Sequence, residues 1–139
     1  MRASGAPHGS SVVVVTVARQ RTGHRAEELI ARRLAAAGWE IVERNARTRY
    51  GELDIVGLGG NALVFVEVKA GRQGAAFGPE RPVLAVDRRK QLRVRRLATA
   101  WMSERRVAPP YTDIRFDAVG VTFDRAGRTI DIEHLRAAF

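Results

Sequence analysis

Apolar residues recur with helical spacing in two stretches of the chain. The first predicts a helix over about residues 23–37, because its apolar positions lie three or four residues apart: Ala26, Ile30, Leu34 and Ala37. Gly38 follows directly and is a typical helix-ending residue. The second predicted helix covers roughly residues 88–105 after Asp87, a good N-cap. Its apolar stripe consists of Val94, Leu97, Ala98 and Trp101.

Five further runs have the composition of β-strands. Three of them come between the helices, at residues 40–44, 52–56 and 63–69, and two follow the second helix, at 114–122 and 129–132. Turn-forming residues at 57–61 predict that the second and third strands form an antiparallel hairpin. The Gly- and Pro-rich segment 70–82 is expected to be a loop. The predicted order is α-β-β-β-α-β-β, an α/β chain with a central sheet flanked by helices.

Residues 1–19 differ in character from the rest of the chain. The first eleven are rich in Gly and Ser, and the Val-rich run 12–17 follows. This composition fits a flexible tail, but the valines also fit an extra strand at the edge of the sheet. We therefore expect one domain over residues 20–139, preceded by a tail or an edge strand.

Composition excludes several classes of protein. The chain has no cysteine, so disulfides, thiolate nucleophiles and cysteine zinc sites are excluded, and a cytoplasmic location is expected. Its apolar runs are too short to span a membrane. The 24 basic and 15 acidic residues give a net charge of +9, and every basic residue except Lys69 and Lys90 is arginine. Such a charge predicts a polyanionic partner, most simply nucleic acid, because arginine makes paired contacts with phosphate.

Acidic residues are concentrated in the predicted hairpin. Strand alternation assigns the side chains of its first strand to two faces: Glu52, Asp54 and Val56 to one, Leu53 and Ile55 to the other. Alternation also puts Glu67 and Lys69 together on one face of the next strand. In the first helix, Glu27 borders the apolar stripe, whereas Glu28 lies four residues before Arg32 in an exposed position.

Two interpretations of these charges remain open at this point. Lys69 could form a buried ion pair with Asp54 or Glu67, because residues two apart on a strand share a face. Alternatively, the excess of carboxylates over lysine would be neutralised by a hard divalent cation such as Mg²⁺, which prefers oxygen ligands. We favour the metal site, because unpaired carboxylates inside a sheet are costly.

The acidic residues also fit a known sequence signature. Asp54 followed by Glu67-Val68-Lys69 resembles the D…(D/E)-x-K signature of the PD-(D/E)xK nuclease superfamily. A wider set of motifs over about residues 20–139 is similar to the YraN family of small bacterial predicted nucleases: Ala26-Glu27-Glu28-Leu29, Gly38-Trp39, Arg44-Asn45, Arg49-Tyr50-Gly51-Glu52-Leu53-Asp54, Phe65-Val66-Glu67-Val68-Lys69, Lys90, Phe116-Asp117 and Ile132-Glu133-His134-Leu135.

The resemblance implies a fold and a set of roles. It implies a restriction-endonuclease-like fold with a central mixed sheet. By this resemblance, Asp54, Glu67 and Glu27 would hold Mg²⁺ or Mn²⁺, and Lys69 would orient or polarise the attacking water. One departure concerns the residues after that lysine, where residues 70–71 are Ala-Gly in place of the usual Thr-Arg.

The start of the second helix is strongly basic. Cations in the first turn oppose the helix dipole, so their presence there favours an anion such as phosphate nearby. For any single arginine, a solvated basic face is an equal alternative. The candidate nucleic-acid-binding residues are Arg88, Arg89, Lys90 and Arg93. By contrast, His134 is interpreted as a structural residue, because no serine or cysteine motif accompanies it. Asp117 is also interpreted as structural, since it lies in a predicted strand beside Phe116.

The sequence favours a magnesium-dependent nuclease that hydrolyses phosphodiester bonds in DNA, with branched or damaged DNA as candidate substrates. The alternative is a nucleic-acid-binding protein of the same fold without significant catalysis. A third hypothesis is an interaction protein whose acidic residues form only an ion-pair network. Fold analogy does not separate these functions.

Overall fold

The computed structural model describes residues 8–74, 81–105 and 111–139. It contains the predicted helices and strands in the predicted order. Their bounds are α1 His8–Ala36, β1 Glu40–Thr48, β2 Gly51–Gly59, β3 Ala62–Arg72, α2 Arg88–Glu104, β4 Asp113–Phe123 and β5 Thr129–Leu135. A short 3₁₀ helix, Pro82–Ala85, precedes α2.

The five strands form one mixed sheet in the order β1-β2-β3-β4-β5. Strands β3 and β4 are parallel, and the other neighbouring pairs are antiparallel. A parallel pair needs a long crossover connection, and α2 lies within it. The predicted architecture, a central mixed sheet flanked by helices, is confirmed and is compatible with a restriction-endonuclease-like fold.

Each face of the sheet packs against one helix. The core on the α1 side includes Ala26, Ile30, Leu34, Val64, Val66 and Val119. The core on the α2 side includes Leu53, Phe65, Val94, Leu97, Trp101 and Phe116. The helical stripes predicted from the sequence are therefore the faces that the sheet covers, except for Ala37, which is exposed and follows the end of α1. Asp87 caps α2 as predicted, since its side chain accepts a hydrogen bond from the Lys90 N–H.

The N-terminal segment differs from the expectation. Helix α1 begins at His8, so the valines at 12–17 are helical, and an edge strand there is wrong. The helix crosses residues 19–20 without a break. No proline interrupts residues 8–36, and the strand preference of valine is a weak local bias that its surroundings override. Residues 1–7 lie outside the described residues.

The hairpin turn is also shorter than expected. Strand β2 continues through Gly57 and Gly59, which the sequence places in the turn, and only Gly60 and Asn61 connect it to β3. The two glycines leave room for the Trp39 indole, because a β-carbon added at Gly59 would lie 2.7 Å from that ring.

The expected loop over 70–82 begins later than predicted. Strand β3 continues to Arg72, and Gly71 lies under Pro82, where an added β-carbon would come within 2.6 Å of the proline ring. The glycine found here in place of the usual arginine therefore fits the local packing. Residues 75–80 of the expected loop lie outside the described residues. In the described part of the chain, no helix combines the length and apolar composition needed to cross a membrane.

A glycine on β4 provides a test of this packing. A β-carbon at Gly120 would lie 2.6 Å from the backbone nitrogen of Val83, which cannot move as a side chain can. Gly120→Ala should therefore lower the free energy of unfolding by about 1–3 kcal/mol. The matched control is Gly23→Ala in α1, where the added methyl group meets nothing within 4 Å and should stabilise the helix by about 0.5–1 kcal/mol. Denaturant unfolding of the two variants should give shifts of opposite sign, and equal shifts would contradict this packing.

Candidate functional site

The acidic site lies where β2 and β3 separate. The ladder between these strands ends at the pair Ile55 and Val66, and Asp54 lies just beyond it. Its carboxylate replaces a missing ladder acceptor, since Asp54 Oδ2 accepts a hydrogen bond of 2.8 Å from the Val68 N–H. Where β2 and β3 separate, the Asp54 side chain is therefore held between the two strands.

The separation also changes the side of the sheet to which the β2 side chains point. Leu53 and Val56 both pack on the α2 side, whereas Ile55 packs on the α1 side. The predicted grouping of Val56 with Asp54, and of Leu53 with Ile55, is therefore wrong. Strict alternation holds only while a strand keeps regular ladder geometry, and that regularity is lost where the pairing with β3 ends.

Glu67 and Lys69 lie together on β3, as alternation predicted. Lys69 Nζ is 3.2 Å from Glu67 Oε1, and the two side chains are 28% and 15% exposed. One of the two ion pairs considered from the sequence is therefore present. Among the described residues, Asp54 has no cationic partner at all, so this pair leaves its carboxyl group unneutralised.

Helix α1 adds a third carboxylate. The Glu27 side chain is 14% exposed and faces the site, whereas the neighbouring Glu28 is 53% exposed and pairs with Arg32, as the helical period predicted. The Glu27 carboxyl group lies close to Asp54, whose interaction lowers the pKa of Glu27 and only partly opposes the effect of burial. The Glu27 carboxylate also lies near His24, whose Nδ1 is 3.6 Å from Glu27 Oε2.

Crowding of carboxyl groups changes their protonation. Burial raises the pKa of Asp54 to about 9, with further increases from the nearby charges of Glu67 and Glu27, and the Val68 N–H only partly opposes them. Burial also raises the pKa of Glu27. Both raised pKa values reflect an excess of buried negative charge, which either protons or a bound cation can neutralise.

Asn45 is a site residue that sequence reasoning missed. It lies between Arg44 and Ala46 on β1, and these two pair with the residues on either side of Asp54. With its amide nitrogen turned toward the carboxylates, Asn45 donates to Glu27 Oε2 at 2.8 Å and to Glu52 Oε1 at 3.1 Å. Its φ of 49° is a conformation that asparagine tolerates better than most residues. In the sequence, the Arg44-Asn45 motif was the only signal that pointed to it.

The donors of this site suit a hard divalent cation in type and number. Three carboxyl groups with one lysine provide the oxygen ligands and the excess negative charge that Mg²⁺ prefers. Among the described residues, however, no three acidic, histidine or cysteine side chains already form a complete metal-binding group. A cation bound here would displace the proton that the raised pKa of Asp54 favours.

The predicted basic residues occupy the first two turns of α2. Arg88, Arg89 and Arg93 are exposed, and Lys90 is half-buried. Arg93 reaches the turn that enters the acidic strand, since a β-carbon at Gly51 would lie 3.1 Å from its Nη2.

A second group of charged residues is structural. Asp117 is fully buried on β4 and accepts hydrogen bonds from Arg115, the Ala137 N–H and His134, whose Nε2 lies 2.8 Å away. Burial alone would raise the pKa of Asp117, but the hydrogen bonds from His134 and Arg115 outweigh it and hold the pKa at about 2. Every acceptor here is satisfied, which supports the structural interpretation of Asp117 and His134.

Comparison with known proteins identifies relatives over most of the chain. Residues 26–121 match the model of the uncharacterised protein family UPF0102. The chain is 46% identical over 121 residues to a UPF0102 protein of Nocardia farcinica, covering 87% of this chain and 91% of that protein. A UPF0102 protein of Moorella thermoacetica is 41% identical over 125 residues, covering 90% of this chain and all of the relative. The chain therefore belongs to the UPF0102 family, the YraN family that its motifs resemble.

Proposed function

We propose that this protein is a nuclease that requires Mg²⁺ or Mn²⁺ and hydrolyses phosphodiester bonds in DNA. One observation carries the proposal: Glu27, Asp54 and Glu67 meet at the separated strands with a single lysine, inside a chain whose net charge is +9. A protein that needed only stability would not gather unneutralised carboxyl groups there, because their repulsion and burial are costly.

The proposed roles follow from position. Asp54, Glu67 and Glu27 would be the metal ligands, and a bound divalent cation supplies a Lewis acid and a water that ionises near neutral pH. Asn45 holds Glu27 in place through its amide. Lys69 Nζ is fixed by Glu67 Oε1 and keeps further N–H donors for a water or a phosphate oxygen. Charge that develops on those oxygens during hydrolysis would be stabilised by this ammonium group.

The alternative function is nucleic-acid binding without significant catalysis. One observation favours it, the lack of a complete metal-binding group among the described residues. The two functions share a partner and differ in the need for a metal. A test must therefore measure cleavage and binding in the same preparation.

The experiment is incubation of the pure protein with labelled duplex, single-stranded, nicked and branched DNA, and with RNA. Each substrate is tested with Mg²⁺, Mn²⁺ or EDTA. We expect cleavage of at least one DNA with either metal and none in EDTA, with branched DNA as the first substrate to test. Binding of DNA without cleavage under every condition would replace the proposal with the alternative function.

A further inference from the structure

Three guanidinium groups surround the turn between β1 and β2. The Cζ of Arg96, from α2, lies 4.0 Å from the ring centroid of Tyr50, and the Cζ of Arg49 lies 5.0 Å from it. Arg93, one turn earlier on α2, reaches the neighbouring Gly51. Tyr50 itself is 45% exposed. We name Arg49, Tyr50, Arg93 and Arg96 the Tyr50 cluster.

The turn that carries this cluster is firmly anchored. The Thr48 hydroxyl donates to the Gly51 carbonyl at 2.9 Å and accepts from the Tyr50 N–H at 3.1 Å. On the α2 side, Glu104 Oε1 accepts from the Arg49 N–H at 3.3 Å. These contacts fix the turn against α2, so the ring and its two guanidinium groups are held before any ligand arrives.

The cluster carries positive charge that the protein does not neutralise. Arg105, Arg115 and Arg128 each form an ion pair of 2.7–2.9 Å with a carboxylate. Within the described ranges, Arg93 and Arg96 have no carboxylate partner, and Arg49 has only a long contact of 3.8 Å with Glu104. Like charges held together repel one another, so their proximity favours an anion between them.

The cluster adjoins the acidic site along β2. Gly51 is followed directly by Glu52 and then Asp54 on β2. Along α2, Arg89, Arg93 and Arg96 share one side of the helix, because they are spaced by four and three residues. They extend over about 10 Å of helix length. A chain of phosphates could therefore run from the start of α2 to the acidic site.

We propose that the Tyr50 cluster binds the backbone phosphates of the nucleic-acid strand that enters the acidic site. The tyrosine ring holds the two guanidinium groups through cation–π contact, which leaves their N–H edges free to donate to phosphate oxygens. Such contacts carry no base code, so binding here is independent of sequence. The inference deepens the proposed function, because it says where the substrate strand binds. It rests on that function only for the cleavage of the bound strand.

Binding in EDTA tests the cluster separately from catalysis. The probes are fluorescent single-stranded DNA, duplex DNA and single-stranded RNA, measured by anisotropy at several salt concentrations. Arg96→Gln should weaken binding by about tenfold and reduce the salt slope on a single strand by about 0.7. Arg33→Gln is the matched control, because it removes one exposed charge from α1, and it should weaken binding less than about twofold.

Tyr50 variants separate the ring from the charges. Tyr50→Leu keeps every arginine but releases two of them, and we expect about a two- to fivefold loss of affinity. Tyr50→Phe keeps the ring and should bind like the wild type. If Tyr50→Leu does not fold, Arg96→Gln still decides the question, since the Arg96 side chain is exposed on α2.

Several results would overturn the inference. One is that Arg96→Gln binds nucleic acid as tightly as Arg33→Gln does. Another is that the wild type binds none of the three nucleic acids. Binding to anionic phosphatidylglycerol vesicles in place of nucleic acid would also refute it. A protein that binds through Arg96 but cleaves nothing would instead refute the nuclease proposal and leave the Tyr50 cluster intact.

Discussion

Replacing Lys69 with methionine should lower the rate of DNA cleavage by about 100- to 10,000-fold, the usual contribution of a positioned proton donor or acceptor. Methionine keeps much of the side-chain length but has no N–H group and no charge. The ammonium group that Glu67 Oε1 holds at 3.2 Å would be lost. DNA affinity should change little, because Lys69 is one cation among 24 basic residues.

The same variant distinguishes a catalytic lysine from a structural one. If Lys69 is only the partner of Glu67, its loss leaves carboxylates buried without a cation and should cost about 3–5 kcal/mol of stability. Added Mg²⁺ should not restore that loss. If the carboxylates are metal ligands, Mg²⁺ should raise the melting temperature of Lys69→Met, because a ligand that binds the folded state stabilises it. Arg33→Met controls for the loss of one charge elsewhere on the surface.

Asp54→Asn should make the metal-free protein more stable above neutral pH. Burial and the neighbouring Glu67 and Glu27 raise the pKa of Asp54 to about 9, whereas an aspartate in an unfolded chain titrates near 4. Between these two pH values the folded state holds a proton that the unfolded state has released. The free energy of unfolding therefore falls as pH rises through this window, by up to about 1.4 kcal/mol per pH unit.

Asparagine removes this dependence without removing the shape of the side chain. Its carbonyl can still accept from the Val68 N–H, and its amide can donate to the neighbouring carboxylates. In EDTA, the melting temperature of Asp54→Asn should exceed that of the wild type at pH 8 by more than at pH 5.5. Glu28→Gln, an exposed neighbour of the site, should shift little at either pH. Lower stability of Asp54→Asn at pH 8 would show that Asp54 is ionised and paired in the folded protein.

Local periodicity was enough to predict several parts of the site. The helical period separated Glu27 from Glu28, and strand alternation put Glu67 beside Lys69. Both predictions depend only on residues a few positions apart on one regular element. The same holds for Asp87 as the N-cap of α2.

Features that depend on distant packing were not predictable in the same way. After Leu53, the β2 side chains no longer alternate regularly between the two sides of the sheet, because β2 and β3 separate there. No sequence pattern within β2 indicates this separation. Gly59 makes room for Trp39, yet a glycine at that position equally fits a turn. The contact of Arg96 with Tyr50 requires α2 to pack beside the β1–β2 turn, so a stripe of arginines on the helix could not identify its partner.

The most direct test of the central claim is cleavage by the wild type and by Asp54→Asn, compared on one DNA substrate with Mg²⁺ and with EDTA. Thermal melts of the same samples establish that both proteins are folded. The nuclease hypothesis predicts cleavage by the wild type with Mg²⁺ and not with EDTA. It predicts no cleavage by an Asp54→Asn protein whose melting temperature in EDTA at pH 8 is at or above that of the wild type. Equal cleavage by the two proteins, or wild-type cleavage that persists in EDTA, would contradict it.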